Sequence, residues 1–289
     1  MGSEPPEVSV VVPFRNDRRF LTSLFESLAA QLNPGVWEIV AVDNGSSDGS
    51  RSVAAGYAEV LPVKVVEAFE QANPAYARNA GARRASADKL LFIDADDEVA
   101  PGYVASLARA LDDHAFVTSR VDSTTLNADW LRCAHGPPWQ EDGLVTFLGF
   151  LPGAGANVGI RRGLFERLGG FSDEFHGSED IAFSWVAQIE AGESPWFEPT
   201  AVYRYRYRDS YRGLFRQSVN WGRDHARLFR RFRLAGMPPR LARTAAHEWL
   251  LVLAGFVRGP RSAWPELVVR LGYCVGRFAG SVRYRVSYF

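Results

Sequence analysis

The chain has 289 residues, 47% hydrophobic and 23% charged, which excludes a largely disordered protein and allows one large domain or a domain with a helical annex. Its two cysteines, Cys133 and Cys274, lie far apart with no CxxC and no paired histidines, arguing against a disulfide scaffold or structural zinc and for a reducing, cytoplasmic compartment. Net charge is zero, yet residues 1–200 carry 15 basic against 29 acidic side chains while residues 201–289 carry 18 against 4.

That split directs the tail toward something anionic: a phosphorylated ligand, a membrane surface, nucleic acid, or the acidic front half. A solvated, internally paired basic face is the plainer alternative. The N-terminal MGSEPPEVSV has no basic segment leading into an apolar core, so no signal peptide is expected. No run of about 18 apolar residues occurs; the longest, AAHEWLLVLAGFV at 245–257, contains His247 and Glu248.

In chain order, VSVVVPF (8–14) has the apolar, β-branched character of a buried strand, and residues 18–32 place Phe20, Leu21, Leu24, Phe25, Leu28 and Leu32 at helical spacing. WEIVAVDNGSSDGS (37–50) is a second strand running into a turn and a helix. VKVVEAF (63–69) predicts a third strand, residues 76–87 a helix, KLLFIDADD (89–97) a fourth strand, and AFVTSRV (115–121) a fifth. Strands alternating with helices over about 120 residues predict an α/β, Rossmann-like, mostly parallel sheet flanked by helices. Ligands of such sheets lie beyond the carboxyl ends of the strands, where Arg15-Asn16-Asp17, Asp43-Asn44 and Asp94-Ala95-Asp96-Asp97 all fall.

After residue 121 the pattern loosens. Residues 122–150, with Gly136, Pro137, Pro138 and Trp139, have the composition of a long connection. GANVGIRRGLFERLGGF (155–171) predicts a short strand, a helix and a Gly-Gly turn, and SEDIAFSWVAQIEAG (178–192) a helix capped by Gly192. YRYRYR (203–208) alternates, so a strand there would show tyrosines on one face and arginines on the other. Two or three helices are expected beyond Arg212.

The acids of LFIDADDEV raise the sharpest chemical question, because like charges so close need a counter-charge. Carboxylates at i and i+2 past a strand end suit a hard cation such as Mg²⁺ or Mn²⁺, with a diphosphate completing the oxygen shell. Their plain alternative is helix-start acids ahead of Pro101, and for Glu98 that alternative is preferred.

In this order, VSVVVPFRND, EIVAVDNGSSDGS, YARNAG, LFIDADD and GGFSDEF-HGSED resemble the family 2 glycosyltransferases of the GT-A fold over roughly residues 8–235. The resemblance implies an inverting enzyme that moves a sugar from a UDP-, GDP- or dTDP-linked donor to a glycan or lipid-linked acceptor, in surface polysaccharide or glycolipid synthesis. It implies a catalytic domain at 1–211, with nucleotide-sugar binding in 8–121 and the acceptor part in 122–211, followed by a basic helical region at 212–289. Pro13, Arg15 and Asp43 would line the base and ribose pocket, Arg78 and Asn79 would stand near ribose and diphosphate, and Asp94 and Ala95 would border the donor. Asp96, with Asp94, would hold Mg²⁺ or Mn²⁺. Asp180 would be the base, with Glu179 sharing the role or orienting the acceptor; helix-start acids are the plain alternative.

There is one departure. Many members of that family carry a histidine after the catalytic helix, whereas VYRYRYRDS (202–210) has none, so Arg204, Arg206 or Arg208 is expected to bind the diphosphate instead. QSVNWGRDH (217–225) resembles the family's segment that closes over the substrates, which makes Gln217, Trp221 and Arg223 candidates.

Other patterns fail. GAGANVG (153–159) is one residue too long for GxGxxG, HEWLL lacks the second histidine of HExxH, and no GxxxxGK[ST] exists. The tail from 240 to 289 combines aromatic residues with at least seven arginines. It suits an anionic membrane interface, as at the inner face of a plasma membrane, and equally an annex packed on the catalytic domain or forming a homodimer. No nucleic-acid module is present. The rival functions are a sugar-phosphate nucleotidyltransferase, disfavoured by the missing Gly-rich triphosphate loop, and a non-catalytic nucleotide-sugar-binding subunit.

Overall fold

A computed structural model describes residues 4–136, 140–152 and 157–289. Among them, β1 (Val8–Phe14) is buried along its whole length and runs parallel to β2 (Trp37–Asp43), with α1 (Arg18–Ala29) as the crossover. Leu21, Leu24, Phe25 and Leu28 form the buried stripe of α1. After α2 (Ser50–Gly56), β3 (Val63–Glu67) joins β2 and ends two residues earlier than expected.

Next come α3 (Pro74–Arg84) and β4 (Lys89–Ile93), the latter parallel to β1 on its other side. Asn73 caps α3, its Oδ1 accepting from Ala75 N at 2.8 Å, and Pro74 suits the first turn because its missing N–H is not needed there. A Cβ on Gly81 would collide with the side chains of Val11 and Val42, so the glycine lets α3 lie flat on the sheet. Thus the glycine of YARNAG serves packing, while the residues before it face elsewhere.

The second half is more mixed than the expected mostly parallel sheet. In order it contains β5 (Glu98–Val99), α4 (Tyr103–Asp113), β6 (Phe116–Asp122), α5 (Asp129–His135), β7 (Asn157–Arg161), α6 (Arg162–Arg167), α7 (Glu179–Glu190) and β8 (Trp196–Arg204). Among the described residues, eight strands follow the order β3-β2-β1-β4-β7-β6-β8-β5, in which β7 is antiparallel to both β4 and β6, β8 is parallel to β6, and β5 is antiparallel to β8. The predicted long connection at 122–150 contains α5; its Pro137, Pro138 and Trp139 lie outside the described residues, as do Gly153 and Gly155 of the rejected glycine motif. The predicted strand at 203–208 ends at Arg204, and the chain then leaves the sheet.

The chain closes with α8 (Tyr211–Phe232), α9 (Ala242–Arg258) and α10 (Trp264–Tyr284). A small-residue seam joins α10 to α8. A Cβ on Gly272 would crowd Ser218 and Phe215 O, one on Gly276 would strike Val219 O, and one on Gly280 would crowd Arg223 O and Ala226. Spacing of four keeps these glycines on one helix face, so the two backbones approach closely. The basic region is therefore a packed annex along α10. In α9, by contrast, only Ala245 and Val252 are buried. No helix among the described residues is long and apolar enough to cross a membrane.

Candidate active site

Beyond the carboxyl ends of β1 and β4 lies a cleft of about 1220 Å³, bounded on its far side by α5, α8 and α10. Of the expected site residues, Pro13, Arg15, Arg78, Asp94, Ala95, Asp96, Glu179, Asp180, Arg208, Gln217 and Trp221 line it. Residues separated by more than 200 positions thus meet at one sheet edge.

The acid loop forms the floor. Asp94, Asp96 and Asp97 each present a carboxylate oxygen, all within 4.8 Å of one another. Four groups hold them. Arg78, on α3, bonds Asp94 through Nη2 and Glu179 through Nη1. Arg208 Nη1 bonds Asp96 Oδ2 at 2.6 Å. Asp97 lies deepest: Tyr203 OH donates to its Oδ2 at 2.7 Å, and Arg206 N donates to its Oδ1 at 2.6 Å.

Burial sets the charges. It pushes the carboxyl of Asp97 well above the usual range, and Asp96 and Asp94 push it further the same way. Asp96 is also raised by burial, against the pull of Arg208. Burial lifts Asp17, at the mouth, to about 6, opposed by the bond from Arg15 N. Burial works against a charged Arg78, but Asp94 and Glu179 raise its pKa and keep it cationic.

Glu179 and Asp180 open α7, and their surroundings separate them. Glu179 is 4% exposed and committed to Arg78. Asp180 is half-buried in the cleft wall. The loop before them is held from α8: His176 N donates to Asp224 Oδ2 at 2.9 Å, and a Cβ on Gly177 would lie 3.2 Å from the Trp221 ring.

Five expected contact residues do not line the cleft. Asp43 is buried, and its Oδ1 caps the turn by accepting from Ser46 N at 2.8 Å; Asn44 faces the cleft in its place. Asn79 points back to the Gly-Gly turn, donating to Phe171 O at 2.7 Å and accepting from Phe171 N at 2.9 Å. Both ends of its amide are used by that backbone. Arg204 pairs in register with Glu98 at the sheet edge. Arg206 braces the acid loop from behind, Nε to Asp96 O at 2.8 Å and Nη2 to Glu98 at 3.1 Å. Arg223 faces the α8–α10 seam, where its backbone abuts Gly276 and Gly280.

Several lining residues were not singled out from sequence. Tyr203, Tyr205 and Tyr207 line the cleft, so the alternation in YRYRYR does sort tyrosines inward even past the strand's end. Arg208 breaks the alternation by turning in as well. The far wall carries His135, Tyr207, Trp221, His225 and Tyr273, with Tyr207 stacked on His135 at 4.3 Å. Burial depresses His135 to about 4; burial, with Arg277 and Arg240, depresses His225 to about 3. Both imidazoles are neutral at pH 7, so the aromatic part of this wall carries no charge, while Arg216, Glu266 and Arg270 of the same helices also line the cleft. The signal for α10's share was the GxxxGxxxG of 272–280, which requires a close helix partner.

The Glycosyl transferase family 2 model matches residues 9–169. The chain is 35% identical over 144 residues to the uncharacterized glycosyltransferase YibD of Escherichia coli K12, covering 49% of this chain and 39% of that protein. It is 29% identical over 214 residues to the putative glycosyltransferase EpsH of Bacillus subtilis 168, covering 70% and 61%. It therefore spans about two fifths to three fifths of the length of these relatives. Among solved structures, Staphylococcus aureus TarS 1–349 with UDP-GlcNAc superposes at a TM-score of 0.58 with 18% identity, over 98% of this chain and 93% of that one. The mannosyltransferase PcManGT of Pyrobaculum calidifontis, with GDP-Man and Mn²⁺, gives 0.59 with 20% identity, over 98% and 78%. At these identities the structural likeness shows the shared fold.

Proposed function

The chain belongs to glycosyl transferase family 2, and from that premise we propose that it moves a sugar, with inversion at the anomeric carbon, from a nucleotide-diphosphate donor to an acceptor hydroxyl of a glycan or lipid-linked glycan. One observation carries this reading: a single buried guanidinium, Arg78, bonds both the acid loop and the opening of α7. The acid loop, suited to a metal-bound diphosphate, and the helix start that carries Asp180 are thereby held against one another.

The donor's base and ribose lie against Pro13, Arg15 and Asn44, with its diphosphate toward Asp94 and Asp96. The oxygen donor set fits Mg²⁺ or Mn²⁺. Asp94 and Asp96 would hold the ion, since Asp97 is engaged by Tyr203 and Arg206. A bound ion would offset the negative charge gathering on the departing diphosphate. Asp180 removes the proton of the acceptor hydroxyl as its oxygen attacks the sugar carbon from the opposite face. Glu179, neutralising Arg78, positions that turn rather than taking the proton. The acceptor lies along the aromatic wall of Tyr207, Trp221 and Tyr273, whose flat apolar faces suit a sugar ring. Relatives that carry UDP-GlcNAc and GDP-Man in the same fold support a nucleotide-sugar donor. Family membership speaks against the nucleotidyltransferase alternative.

Thermal-shift measurements with UDP, GDP and dTDP, each with and without Mn²⁺, test the donor assignment. One base is expected to raise the melting temperature by several degrees, and more with Mn²⁺. Stabilisation by none of the three would overturn it.

The reading extends to an anionic membrane surface that presents a lipid-linked acceptor. Leu250 is 66% exposed, Leu253 53% and Val257 81%, forming with Ala246 and Ala254 a solvent-facing stripe at helical spacing on α9. Exposed Arg243, Arg258 and Arg261 border it, which is the pattern of a helix lying in a lipid interface. The full-length protein is expected to float with phosphatidylglycerol vesicles at low salt, and Leu250→Glu with Leu253→Glu to remain at the bottom of the gradient. Wild-type protein that stays at the bottom would refute the contact.

A further inference from the structure

Three arginines contact the acid loop, and they differ in how firmly they are held. Arg78 is buried, its side chain 4% exposed, and bonds two carboxylates. Arg206 is fastened to the loop three times, through its backbone N–H, its Nε and its Nη2, and lies over the Phe20 ring at 5.1 Å. Arg208 makes one contact with the loop, to Asp96 Oδ2, and its side chain is 47% exposed. It faces the cleft, within the electrostatic reach of Asp17 and Asp94 as well as Asp96.

Resting on the transferase reading, we infer that Arg208 is an internal cation seated at the divalent-ion position, which it yields when ion and donor arrive together and from which it passes to the donor's diphosphate. Charge balance favours this exchange. Among the described residues, both cleft-facing acids of the loop already have a guanidinium, so the loop does not need an ion to fold. A divalent ion entering alone must displace Arg208 from Asp96 and leave that guanidinium without its anion. When a diphosphate enters too, the displaced fork has a new planar anion to grip, because guanidinium and phosphate oxygens pair in a bidentate way. Ion and nucleotide then favour each other's binding, and by linkage the gain is the same in either order. Of the three arginines only Arg208 has one tether and an exposed stem, so only it can make the exchange without dismantling the loop. Nothing is covalently altered; one ion pair is traded for another.

The test is Mn²⁺ binding to full-length protein, followed by electron paramagnetic resonance and calorimetry with no sugar donor present. Arg208→Gln is expected to bind Mn²⁺ alone about tenfold more tightly than wild type, and metal-free UDP or GDP about tenfold more weakly, each change being the size of one hydrogen bond to a charged group. Arg208→Lys retains the charge at a half-exposed position and is expected to keep wild-type Mn²⁺ affinity. Equal Mn²⁺ affinity in wild type and Arg208→Gln, with nucleotide binding intact, would overturn the exchange and leave the transferase reading standing. Tightening in the Lys variant equal to that in the Gln variant would also overturn it. Failure of wild type to bind UDP, GDP or dTDP at all would instead overturn the transferase reading.

Discussion

Asp180→Asn is expected to cut sugar transfer by about a thousandfold while donor affinity stays within about threefold, since a positioned general base contributes on the order of 10²–10⁴ and makes no donor contact. The substitution keeps shape and size, and an amide cannot take the proton. The companion change Glu179→Gln separates the two acids. Glu179 is spent on Arg78, so its loss should appear in stability and alignment, with a smaller effect on turnover. Initial-rate kinetics beside donor titrations distinguish these outcomes. Transfer unchanged in Asp180→Asn would remove that residue from its role.

Arg78→Met is expected to destabilise the protein by about 3–5 kcal/mol, as happens when one partner of a buried ion pair is removed and the other charges stay behind. The side chain of Asp94 is 30% exposed and that of Glu179 only 6%, so most of the penalty falls on Glu179. Adding Glu179→Gln to Arg78→Met should therefore recover part of the loss, because the remaining buried charge disappears with it. Urea unfolding of the two single variants and the double variant measures this coupling. A loss under about 1 kcal/mol in Arg78→Met would mean that the two acids do not depend on the guanidinium.

Those two expectations differ in how visible they were in the sequence. The first strands, the acid loop and the opening of α7 were legible because each is local: a buried run ends, a polar cluster follows, and the sheet rule places the cluster at the carboxyl edge. VSVVVPF became a strand at the boundaries it suggested. The partners were not legible, since hydrogen bonds between distant residues leave no periodic trace. Arg78 looks like a donor contact and lines the cleft, but it also ties the acid loop to α7; Asn79 looks like its neighbour in function and latches a turn 92 residues away. In YRYRYR the alternation sorted the tyrosines correctly, but where the strand stops decides which arginine turns inward, and that depends on β8 meeting β5 and β6. The antiparallel β7 was likewise hidden, because a buried strand has the same composition in either direction. The annex could be anticipated as helical and basic. That α10 walls the cleft follows only from the glycine seam against α8.

The claim beneath all of these is that Asp94 and Asp96 receive a nucleotide diphosphate together with a divalent cation. Calorimetric titration of the best-stabilising nucleoside diphosphate into wild type and Asp96→Asn, each with and without Mn²⁺, measures it directly. Binding that strengthens with Mn²⁺ in wild type, and a gain that vanishes in Asp96→Asn, is the predicted result. Equal Mn²⁺ dependence in both proteins, or no binding of any nucleoside diphosphate, would contradict it.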